Sequence, residues 1–147
     1  MHSDRRHQFA VERAELWASM CRVDRYREWW PWLRSFEASA LRSGDRWRCR
    51  VQPPLPYALR FDVTIDEVVP GELVTATVSG DIAGTARLDL LDRVGGSEIR
   101  LASSLAPSNR MLRAVALAAR PVVRRGHDWV LDTGARQFTE RALPPPS

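Results

Sequence analysis

The sequence contains no lysine. All 22 of its basic residues other than histidine are arginines, set against 18 acidic residues, and the net charge is +4. So strict a preference reads as GC-rich coding. Cysteine is nearly as scarce: Cys21 and Cys49 match no CxxC or zinc spacing, which excludes a disulfide framework and implies free thiols in a reducing compartment. Long apolar runs are missing as well. No stretch approaches the roughly 18 apolar residues of a membrane span, and the opening MHSDRRHQF lacks the apolar centre of a signal peptide. The expected location is the cytoplasm, with no membrane insertion. There is no GxSxG, HExxH, Walker A or GxGxxG, and three histidines with two cysteines make no ligand set, so neither a metal nor a cofactor is expected.

What the chain has is alternation. In RWRCRVQ, Trp47, Cys49 and Val51 share one face and Arg46, Arg48 and Arg50 the other, the period of a half-buried strand. YALRFDVTIDEV repeats the pattern, with Tyr57, Leu59, Phe61, Val63 and Ile65 against Arg60, Asp62, Thr64 and Asp66. LVTATVSG, GTARLDLLD and SEIRLASSL add three strands, and VGG at 94–96 supplies a hairpin turn between the last two. With a strand near Arg34 to Leu41 and an edge strand around His7 to Val11, about seven strands form an antiparallel sheet. Arginines on one wet face are expected opposite aspartates on the next strand.

Such a sheet has one apolar face and needs a cover. Two short helices are expected, Ala14 to Met20 and Asp24 to Trp30, the second stopped by Pro31. The main cover comes last. A helical pattern runs from Pro107 and Ser108 to about Arg141, with Pro121 kinking or splitting it, before PPP ends it. Along it Arg120, Arg124, Asp128, Asp132, Arg136 and Glu140 recur every fourth residue, a solvated row of i,i+4 pairs. The opposite face carries Leu112, Ala119, Gly126 and Thr133, with Val115 and Val130 beside them. Glycine inside a helix costs about 1 kcal/mol relative to alanine, so Gly126 and Gly134 signal close helix–sheet packing or a cavity.

Together the 147 residues make one domain, 1–147, with 142–147 as a Pro-rich tail. The order of a short edge strand, two small helices, a run of antiparallel strands and a long C-terminal helix resembles the START-like helix-grip superfamily, SRPBCC, in its polyketide cyclase/dehydrase branch. LWASMCRVDRYREWWPWL, GDRWRCRVQPPLPYALRF, VSGDIAGTARLDL and ARPVVRRGHDWVLDTGARQF carry the likeness, which covers about Phe9 to Leu143. The resemblance implies an α+β fold in which a curved sheet wraps the last helix, with a cavity between them. It also implies a monomer or a homodimer.

On that frame the three tryptophans of REWWPWL, Trp29, Trp30 and Trp32, either wall the cavity or fill the core. Trp47, Phe61, Ala119, Gly126 and Val130 are the other expected ligand contacts. His127, on the flank of the helix's apolar face, and Tyr57, after the stiff PPLP loop, are the candidates for proton transfer. Asp128 is not expected to orient His127, because sequence neighbours on a helix diverge by about 100°. Asp24 or Asp81 would have to do so. Two functions follow: carriage of a hydrophobic small molecule such as a lipid, polyketide or isoprenoid, or cofactor-free cyclisation or dehydration in the same cavity. They differ in whether several polar groups converge there. Six arginines occur between Arg100 and Arg125 without an acid. Arg110, Arg113, Arg120 and Arg124 nevertheless spread over a broad face with no interleaved aromatics, so neither nucleic acid nor a membrane surface is the expected partner.

Overall fold

The computed structural model describes residues 2–53, 58–108, 110, 113, 114, 117 and 120–143. Strand β1, His2–Phe9, leads into helix α1, Arg13–Met20, a 3-10 turn at Val23–Arg25 and a one-turn helix α2, Tyr26–Trp29. Six strands follow, β2 Leu33–Glu37, β3 Arg46–Val51, β4 Leu59–Val69, β5 Leu73–Gly80, β6 Ile82–Arg93 and β7 Gly96–Pro107, and helix α3, Arg120–Arg141, closes the order. The seven strands form one antiparallel sheet in the order β1-β7-β6-β5-β4-β3-β2. Consecutive hairpins thus build the sheet from β2 to β7, and β1 returns to cover the edge of β7.

The alternation read from sequence sets the faces. Val51, Ile65, Val74, Ala76, Val78 and Leu90 are buried on the inner side. On the outer side Arg46 pairs with Asp62 and Arg100 with Asp4, both at 2.5 Å. Register places Arg48 rather than Arg46 opposite Asp62, and Ala102 opposite Asp4, so both pairs are diagonal. A bulge between Ile65 and Glu67 bends β4. Gly84 tightens the curl: a Cβ there would sit 1.8 Å from the carbonyl oxygen of Ser104, so only glycine lets β6 approach β7 so closely.

Several expectations change. The edge strand runs His2–Phe9, not His7 to Val11, and pairs with β7 along its whole length, from His2 with Ser104 to Phe9 with Ser97. Its inward positions are Ser3, Arg5, His7 and Phe9, mostly polar, so apolar alternation could not reveal it. The second helix is shorter than expected, its first turn being 3-10. Pro121 falls in the first turn of α3, and Arg110, Arg113, Ala114 and Leu117 before it are helical as well, so helix lies on both sides of the proline as the pattern predicts. Leu143, assigned to the tail, is packed in the core.

The row of charges on α3 is also corrected. Asp128 and Asp132 reach across to β1, where Arg5 lies 2.6 Å from Asp128 and 3.5 Å from Asp132. The row therefore fastens helix to sheet edge instead of only facing solvent. Among the described residues no helix is long and apolar enough to cross a membrane.

Candidate functional site

The WWPW segment organises the site. Pro31 excludes the helical conformation from the residue before it, and Trp30 takes an extended backbone, φ −121° and ψ 91°, ending α2. The turn divides the three indoles. Trp29 stays on the helix and is buried, edge-on to Phe138 of α3 at 5.4 Å, while its carbonyl accepts from Arg141 at 2.8 Å. Trp30 and Trp32 point onward together, stacked at 5.6 Å. Their N–H groups donate to α3, Trp30 to the Gly134 carbonyl and Trp32 to Gln137 Oε1, both at 2.9 Å.

Gly134 makes this docking possible. A Cβ there would meet Trp32 Cζ2 at 3.3 Å and Trp30 Nε1 at 3.7 Å. The helix glycine thus marks close approach of indoles to α3. Behind them Tyr26 is the hub of an aromatic cluster, 4.9 Å from Trp30, 5.5 Å from Phe36 and 5.8 Å from Trp47. Its hydroxyl donates to the Met20 carbonyl, and burial pushes its pKa up.

Between this wall, the inner sheet face and α3 lies a cavity of about 430 Å³, within the range of small-molecule sites, roughly 300–1,000 Å³. Trp30, Trp32, Trp47, Phe61 and Val130, all expected contacts, line it, as do Ile65, Val74, Leu88 and Ile99 from the sheet and Phe138 from the helix. Trp29 and Gly126 are buried but are not among its lining residues. Tyr57 and Ala119 lie outside the described residues.

Sequence reasoning missed Tyr26, Cys49 and His7 as lining residues. The intervals between Tyr26, Trp29 and Trp30 on the second helix could have flagged the first. Cys49 sits mid-strand facing inward, and burial pushes its thiol up to about 12, so it remains protonated. His7 was legible only once β1 was known to begin at His2.

His127 is not among the lining residues of the cavity either. Among the described residues its Nδ1 has no hydrogen-bond partner although it is buried, and it lies 3.8 Å from Asp128 Oδ1, a contact through charge that is too long for a hydrogen bond. The structure thus brings Asp128 nearer to His127 than helical geometry suggested. Asp24 pairs instead with Arg22, and Asp81 accepts from the Arg60 backbone N–H.

Burial lowers the His127 pKa from its ordinary 6.5, outweighing the pull of Asp128. With the folded value below the unfolded one, the stability His127 contributes is complete above about pH 6.5 and fades as pH falls through the folded value. A ring-proton NMR titration is expected to give a midpoint below 6.5. A midpoint above it would mean that the Asp128 charge outweighs burial. Asp128 itself is held below the usual carboxylate range, first by its bond to Arg5.

Among the described residues no three His, Cys, Asp or Glu side chains converge as a metal site requires. No family model matches the sequence, and no curated protein does. Solved structures do match. TTHA0849 of Thermus thermophilus superposes with a TM-score of 0.78 at 11% identity, over 97% of both chains. This chain has the helix-grip fold. The Zhui aromatase/cyclase of Streptomyces sp. R1128 shares the helix-grip architecture with a TM-score of 0.74 at 12% identity, covering 97% of this chain and 96% of that one. Ara h 8.0201 does so with a TM-score of 0.69 at 12% identity, over 97% of both chains.

Proposed function

We propose that the protein binds an uncharged, largely apolar small molecule in the cavity between sheet and α3. One observation carries the reading: apart from His7, the polar side chains of the described lining are either hydrogen-bonded within the protein or, at Cys49, a neutral thiol. The indoles of Trp30, Trp32 and Trp47 donate to Gly134, Gln137 and Ala40 at 2.9 Å, the Tyr26 hydroxyl donates to Met20, and the Cys49 thiol is protonated. What the wall offers a guest is ring faces and methyl groups. Lipids, polyketides and isoprenoids suit such a surface, which favours ligands by removing apolar area from water.

Cofactor-free cyclisation or dehydration stands second. It draws on His7 beside Asp132, an imidazole–carboxylate pair at the cavity, and on the likeness to an aromatase/cyclase. Proton transfer to and from a folding chain calls for more than one poised group, and His7 is a single one.

Equilibrium dialysis with naphthalene and its carboxylate, naphthoate, tests the binding reading. Saturable naphthalene binding is expected, with naphthoate at least about tenfold weaker, because the lining leaves a buried carboxylate unpaired. Equal affinity for the two, or no saturable binding of naphthalene, would remove the proposal.

A further inference from the structure

His7 is the exception among the polar groups of the cavity. It projects inward from β1 as part of the lining, and its Nε2 lies 3.6 Å from Asp132 Oδ1 on α3. Asp132 lies outside the cavity in an adjoining surface hollow with Arg136 and Thr139, and His7, which lines both spaces, stands between them. One edge of the imidazole is therefore turned toward a carboxylate outside the main cavity. A neutral imidazole carries one N–H and one bare nitrogen, and the choice between them follows the charge each nitrogen faces. A carboxylate beside Nε2 favours the proton there, which leaves Nδ1 as an acceptor.

We infer that His7 Nδ1 is the polar anchor of the cavity, selecting apolar ligands that carry a hydroxyl able to donate to it. The inference rests on the apolar-ligand reading above and adds the chemistry of one end of the guest. A ligand with an ether or ketone oxygen at that end brings an acceptor to an acceptor and gains nothing. A hydroxyl on the same skeleton makes one hydrogen bond at the end of an otherwise apolar wall. The partner of that hydroxyl comes from β1, the strand whose polar inward row departs from the apolar rule of the rest of the sheet.

Three probes of one skeleton separate these effects: naphthalene, β-naphthol and the methyl ether of β-naphthol. In the native protein β-naphthol is expected to bind roughly threefold to tenfold more tightly than the ether, the gain of one neutral hydrogen bond. In His7→Leu the two should bind alike while naphthalene binding is kept. His7→Gln, whose amide both donates and accepts, should bind both oxygenated probes and so keep the result readable if His7→Leu folds poorly. An unchanged preference for β-naphthol in His7→Leu would overturn the role of His7. Equal affinity of β-naphthol and its ether in the native protein would overturn the donor requirement. Failure of naphthalene itself to bind would instead remove the apolar-ligand reading, and this inference with it.

Discussion

Gly134→Leu is expected to cost the protein its ligand while leaving it folded. The ideal Cβ at this position already lies 3.3 Å from Trp32 Cζ2 and 3.7 Å from Trp30 Nε1, so the further carbons of leucine must occupy space that the indoles now fill. The bond from Trp30 to the Gly134 carbonyl would break, and both stacked rings would be driven toward the cavity. Overpacking of this kind costs about 1–3 kcal/mol of stability. The effect on naphthalene affinity should be larger, tenfold or more, because the displaced rings take the guest's place. Dialysis beside urea unfolding separates the two. Native affinity in a folded Gly134→Leu protein would mean that the indole wall does not bound the site.

The second large effect belongs to the tryptophan that faces away. Trp29 is only 5% exposed and packs on Tyr26, Trp30 and Phe138. Trp29→Ala should lower the unfolding free energy by about 3–5 kcal/mol, the range for deleting a large buried aromatic side chain. Trp30→Ala should reverse the balance. Its ring is half-buried and lines the cavity, so affinity should fall about tenfold while stability falls less than in Trp29→Ala. Chemical unfolding and dialysis on both variants check the contrast. Equal stability losses would show that the three tryptophans act as one core.

That division explains how far the sequence could be read. Period-two alternation marked β3, β4, β6 and β7 with their faces and β-branched content marked β5, since apolar area on one side of each strand is what holds the sheet to its cover. β1 was expected too late in the chain, at His7 to Val11, because Arg5 and His7 face inward to meet carboxylates on α3, a contact between residues more than 100 positions apart that no local pattern encodes. The same contact turned Asp128 and Asp132 from a solvated row into a clasp. Gly134 was visible as an anomaly within a helix, but whether it served packing or space depended on where Trp30 and Trp32 pointed, which Pro31 decides only in three dimensions. His127 drew attention by its ionisable ring on an apolar flank. The cavity's own histidine lay in a segment whose polarity disguised it.

The central claim is that the space between the inner sheet face and α3 is a binding site for apolar molecules. A crystal structure of the protein soaked with a brominated naphthalene tests it most directly, because the anomalous signal of bromine locates the guest without bias. A peak is expected among Trp30, Trp32, Phe61 and Phe138. A peak only on the outer face of the sheet, or none within the cavity at saturating probe, would contradict it.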